Sequence, residues 1–116
     1  MAPSETLVAI PKLEIDGAQR DHRIQLEAGV TMVGRYREKH PDAIHASMCS
    51  REILDEILAQ PGCAGVRMYY AEEADGKPTL VLVGVDALGN DLYSGVLGED
   101  LLECPPFCSG DSPLGW

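Results

Sequence analysis

Residues 64 to 86 read Ala64-Gly65-Val66-Arg67-Met68-Tyr69-Tyr70-Ala71-Glu72-Glu73-Ala74-Asp75-Gly76-Lys77-Pro78-Thr79-Leu80-Val81-Leu82-Val83-Gly84-Val85-Asp86, and their patterning decides the fold. Val66, Met68 and Tyr70 alternate with Arg67 and Tyr69, the period of a strand. Ala74-Asp75-Gly76-Lys77 supplies turn residues, and the run from Thr79 to Asp86 resumes as a second strand, which together predict a β-hairpin. That second strand is apolar on both faces at Leu80, Val81, Leu82 and Val83. It is therefore expected at the centre of a sheet, covered by helix on at least one side.

Outward from the hairpin, Pro61-Gly62 marks the stop of a preceding helix. That helix is expected over residues 51 to 60, where Ile53, Leu54, Ile57 and Leu58 share a face, Ser50 can cap, and Glu52, Asp55 and Glu56 face solvent in the early turns. Before it, Ile44 to Cys49 alternates as a short strand would, with a helix as the other possibility. A further helix is expected from Leu26 to Lys39, on the spacing of Val30, Val33 and Arg37 and the Met32/Tyr36 pair, ended by His40-Pro41. After the hairpin, the turn Asp86 to Asp91 leads to an expected short strand at Leu92-Tyr93-Ser94. An acidic apolar segment, Val96 to Glu103, and a cysteine segment with a loose tail follow. Residues 1 to 25 read as an arm, with strand character at Thr6-Leu7-Val8-Ala9-Ile10, an interruption at Pro11 and a turn at Asp16-Gly17.

The chain of 116 residues is the size of one domain, and with 45% hydrophobic and 24% charged residues it is too apolar to be disordered. Aromatics make up only 5%, so the core must be mainly aliphatic. Nineteen acidic residues against nine basic ones give a formal charge of -10, spread along the chain. Such a surface repels phosphate backbones and anionic lipid, so neither nucleic acid nor membrane is an expected partner. No apolar run approaches the roughly 18 to 20 residues of a spanning helix, and the first residues carry no secretory pattern. The expected compartment is the cytoplasm, where thiols are by default reduced.

Four stretches, Gln60-Pro61-Gly62-Cys63, Gly65-Val66-Arg67-x-Tyr69, Leu80 to Asp86 with Gly89-Asn90-Asp91-Leu92, and Cys104-Pro105-Pro106-Phe107-Cys108, together resemble a family of small bacterial proteins without an assigned function. The resemblance covers about residues 26 to 112. It implies that the hairpin and the cysteine segment belong to one recurring domain, and it carries over no catalytic residue.

Cys104 and Cys108 are the segment with the clearest hint of chemistry, and three readings stand open. In polyproline II, at about 3.1 Å per residue, the two sulfurs are too far apart to bond. A turn at Pro106 or a cis Pro105-Pro106 bond would instead bring the Cα atoms toward the roughly 5.5 to 6 Å that a disulfide prefers. A zinc site would use the same pair, but four ligands are the rule, and the remaining candidates, Cys49, Cys63, His22, His40 and His45, offer no second close pair. Cys49 and Cys63 flank the helix from Ser50 to Gln60, which at about 1.5 Å per residue holds them about 16 Å apart. The third reading is simple burial, the common fate of free cysteine. A nucleophilic Cys49 assisted by His45 is disfavoured, because four residues along a strand separate them by roughly 13 Å. No phosphate loop, Ser-His-Asp order or calcium-loop spacing is present.

These readings give one α+β domain over residues 26 to 116 behind the arm of residues 1 to 25, its antiparallel sheet built on a central hairpin with two helices packed on one face. The function expected is a non-catalytic protein interaction or assembly module, with no catalytic residue and no cofactor. Its contacts would be Val8 and Ile10 of the arm and Pro105, Pro106 and Phe107, and its partner another protein or a second copy. The alternative is a thiol redox or zinc-binding protein built on Cys104 and Cys108.

Overall fold

A computed structural model describes residues 20–115 of the chain. Along it run α1 (Leu26–Lys39), β1 (Ala46–Met48), α2 (Arg51–Leu58), β2 (Cys63–Glu72), β3 (Pro78–Asp86), β4 (Leu97–Gly98) and β5 (Leu102–Cys104). The class is α+β, with antiparallel pairing throughout. The arm, including Val8 and Ile10, lies outside the described residues.

Contacts divide the described chain into two compact units. One, continuous among the described residues but for Arg20, is Cys49–Asp100, and the other, discontinuous, combines Asp21–Met48 with residues 101–115. The continuous unit holds the hairpin sheet, in the order β2-β3-β4, so the doubly apolar strand is central as its sequence requires. Leu82 and Val83 are almost wholly buried on its two faces. The register runs unbroken from Gly65↔Val85 to Glu72↔Pro78, with a bulge between Cys63 and Gly65.

Helix α2 packs on β2 and β3. Ser50 caps it, the hydroxyl accepting the Ile53 N–H at 3.2 Å and satisfying one orphan donor of the first turn. Ile57, fully buried, is its anchor. The helix can approach because Gly84 stands beneath it: a Cβ there would come within 3.2 Å of Ile57 Cγ2 and 2.9 Å of Cys63 Sγ. Near the start of the central strand, Thr79 is buried and its hydroxyl lies 3.2 Å from Glu99 Oε2, tying β3 to the segment after β4.

The expected strand at residues 92 to 94 is instead a turn, closed by Gly95 N–H donating to Leu92 O at 3.1 Å. Leu92 N–H has already donated to Gly84 O at 2.8 Å, and beyond that bond the chain leaves the sheet edge. Pairing resumes only at β4, where Leu97 faces Val83 and Gly98 faces Leu82.

In the discontinuous unit β1 and β5 form a two-stranded ladder, Ala46↔Cys104 to Met48↔Leu102, extended by His45 N–H donating to Cys104 O at 3.0 Å. Helix α1 ends where His40 N–H bonds Tyr36 O at 2.9 Å, with the two rings 4.5 Å apart and Pro41 following. No residue of α1 is buried, and Arg37 Nη1 reaches Gly115 O at 2.5 Å to hold the tail.

Candidate functional site

Two groupings of side chains carry the chemistry of the described residues, one in each unit. In the discontinuous unit, Cys104 and Cys108 are joined as a disulfide with their Cα atoms 4.8 Å apart. The Cys104-Pro105 and Pro105-Pro106 peptide bonds are both cis, and the loop closes with Phe107 N–H on Glu103 O at 2.9 Å and Cys108 N–H on Pro106 O at 3.1 Å. The chain thus curls where a polyproline II segment would have stretched. Cys104 is buried on β5, while Cys108 is half-buried and more approachable by an attacking thiolate. Pro105, Pro106 and Phe107 are exposed, Phe107 by 61%. The disulfide forms part of the wall of a cavity of about 440 Å³, together with Met32, Val33, Tyr36, Phe107 and Leu114.

As a metal site the pair fares differently, since sulfurs bonded to each other present no thiolate. Among the described residues no three His, Cys, Asp or Glu side chains gather as a metal site needs. Cys49 and Cys63 are free thiols, both half-buried, with Cys63 Sγ 3.3 Å from Gly65 O. Between His45 and Cys49, the three residues Ala46–Met48 are extended as strand β1. No helix among the described residues is long and apolar enough to cross a membrane.

The second grouping lies on the face of the sheet opposite α2. Arg67 and Tyr69, two residues apart on β2, point the same way and meet Asp91 at the bridge opposite Val85. Arg67 Nη1 binds one carboxylate oxygen of Asp91 at 2.5 Å, and the Tyr69 hydroxyl donates to the other. That carboxylate raises the pKa of the Tyr69 phenol, because the neutral donor is the form it binds; partial desolvation adds to the effect. Behind it, Asp86 closes the 86–90 loop by accepting N–H groups of Leu88 at 3.0 Å and Asn90 at 2.9 Å. These backbone donors, Asn90 foremost, lower the Asp86 pKa. The cluster pins the loop to β2 and orders that face of the hairpin. The alternation of Arg67 and Tyr69 was a signal in the sequence; their partner Asp91 could not be found without the return path of the loop.

The outer edge of β2 is the third feature. Among the described residues no strand pairs with it. Met68 is 55% exposed, Tyr69 47% and Tyr70 94%, which leaves a row of large side chains along a strand edge that no described strand pairs with.

No protein-family profile matches the chain, and neither the curated proteins nor the solved structures contain a significant match to it.

Proposed function

We propose that the chain is a non-catalytic protein-interaction or assembly module that accepts an added strand along the outer edge of β2. The observation behind this reading is the length and character of that edge: ten residues, without proline or lysine, bearing Met68 and Tyr70 in the open. Natural sheet edges of this length are normally blunted by charge, proline or a covering element, because their free N–H and C=O groups recruit strands. Backbone bonds supply affinity in strand addition and alternate side chains supply selectivity. The sequence Thr6-Leu7-Val8-Ala9-Ile10 of the same chain has the composition of such an added strand, and Phe107 with Pro105 and Pro106 adds a second exposed apolar point.

The test is Tyr70→Pro in the full chain, compared with the parent by sedimentation and by titration of a peptide spanning residues 4 to 12. Proline is tolerated on an edge whose N–H faces solvent, so the hairpin should survive while the added strand is refused. Association present in the parent and lost in the variant, with melting unchanged, supports the reading. Association equal in both, or none by either route, overturns it.

Redox use of Cys104 and Cys108 is the second reading, supported by the half-buried Cys108 sulfur at the cavity wall. An external dithiol would take over the bond as its own disulfide and leave two thiols on the chain. A pair that stays bonded throughout titration with dithiothreitol would exclude a redox cycle.

A further inference from the structure

We propose that two copies of this chain join through their β2 edges as a two-fold antiparallel ladder centred on Met68, fusing two three-stranded sheets into one of six strands. The proposal rests on the strand-acceptor reading and names the partner.

The ladder between β2 and β3 decides which backbone groups face outward. Glu73 N–H donates to Lys77 O at 2.8 Å, which makes 73 and 77 a hydrogen-bonded pair. Bonded and non-bonded pairs alternate in an antiparallel ladder. Along the unbroken register the pairs Ala71/Thr79, Tyr69/Val81 and Arg67/Val83 are therefore bonded, and Glu72/Pro78, Tyr70/Leu80, Met68/Leu82 and Val66/Gly84 are not. Two details agree: Pro78 has no N–H to give, and Gly84 O accepts from Leu92, on the side away from β2. The outward N–H and C=O groups accordingly belong to Val66, Met68, Tyr70 and Glu72. Since Gly84 faces α2 and is paired with Val66, these residues carry their side chains on the helix-covered face, where Met68 and Tyr70 are mostly exposed.

A two-fold axis normal to the sheet pairs residues of equal parity, so the axis must lie midway between one residue and its own copy. Centred on Arg67, it would set guanidinium against guanidinium, which is destabilising. Centred on Tyr69, it would pair residues 66 to 72 and bring two phenols, each already bonded to an Asp91 carboxylate, to the axis. Centred on Met68, it pairs residues 65 to 71 of the unbroken register and sets Met68 against its copy, Tyr70 against Val66 and Arg67 against Tyr69, with no like charges opposed. The outward groups of Val66, Met68 and Tyr70 then meet their counterparts directly. Charge permits the same place: β2 carries one Arg and one Glu, a sum of zero in a chain of net charge -10, so the strand adds no net repulsion where it meets its twin.

The experiment is sedimentation of the full chain with residue-resolved amide exchange, repeated for Met68→Lys, Met68→Glu and their equimolar mixture. Both substitutions fall on an exposed side chain, and melting curves confirm that each variant folds. The parent should be dimeric with slow exchange at Val66, Met68 and Tyr70. Each variant alone should dimerise at least about tenfold more weakly, from two like charges at the axis, and the mixture should recover association. A dimer indifferent to both variants, or a mixture that fails to recover, overturns the Met68-centred ladder. A monomer that still protects those amides on adding the 4 to 12 peptide overturns the second copy as partner and leaves the strand-acceptor reading standing. A monomer unprotected with or without the peptide overturns both.

Discussion

Gln60 holds Val96: its side-chain Oε1 accepts the Val96 N–H at 2.9 Å, while its Nε2 donates to Ile57 O at 2.9 Å. One amide thereby seals the end of α2 and fixes the chain as it turns toward β4. Gln60→Ala should cost about 1 to 2 kcal/mol, the price of leaving a half-buried N–H unmet. Gly95→Ala should cost a similar amount, because its Cβ would collide with the same Oε1. Chemical denaturation of both single variants and the double variant decides the matter. The double should be clearly less damaged than the sum, and strict additivity would show that the Gln60 clamp is not what limits position 95.

Val83→Asp should destabilise the fold by at least about 3 kcal/mol. Val83 is only 3% exposed on the central strand, and an aspartate there must bury its charge or take up a proton. Circular dichroism and thermal melting report the loss. An equally stable variant would mean that this face of the sheet is open in solution.

The Tyr69 phenol should titrate above its usual range of about 10. The folded state holds the protonated form against the Asp91 carboxylate, so the bond's stabilisation is complete below the ordinary phenol value and is lost as pH rises through the raised one. In Asp91→Asn the titration should move down in pH, and in Tyr69→Phe the corresponding alkaline loss of stability should vanish. Carbon chemical shifts of the Tyr69 ring against pH provide the check. An identical titration in the parent and in Asp91→Asn would falsify the contact.

Cys104→Ser with Cys108→Ser should loosen residues 105–115 while the hairpin keeps its melting behaviour, since the bond closes a loop within the discontinuous unit. The chain-entropy estimate for so short a loop is about 2 kcal/mol, felt locally. Amide exchange should quicken in that segment alone. Thiol counting on protein prepared without reductant should find two free groups, Cys49 and Cys63; four would show the bond absent in solution.

What the sequence revealed follows from how much periodicity each element contains. The hairpin strands are long enough for alternation to show, and Ser50, Pro61 and Gly62 punctuate α2. β4 and β5, at two and three residues, hold at most one and a half periods, too few for alternation to show, and merge into the stretch from Val96 to Cys104. Leu92-Tyr93-Ser94 has strand composition, yet the Gln60 clamp and the Gly95 turn override it. The spacing of Cys104 and Cys108 allowed both bonding and separation, because the conformation of the two prolines between them is not written in their identity. That β2 lies at the edge of the described sheet was equally hidden, as strand order is a property of the assembled sheet.

The pairing of β1 with β5 brings together Ala46 and Cys104, residues separated by the whole of the continuous unit. During synthesis α1 and β1 emerge first but must wait for their last strand, whereas Cys49–Asp100 has all its ladder partners as soon as residue 100 is free. The segment Cys49–Asp100 is in effect an insert between the two parts of a host, Asp21–Met48 and residues 101–115. Closing the host is an intramolecular docking step whose entropic cost the folded insert reduces by shortening the effective loop. The insert is the part expected to survive alone when expressed as a fragment.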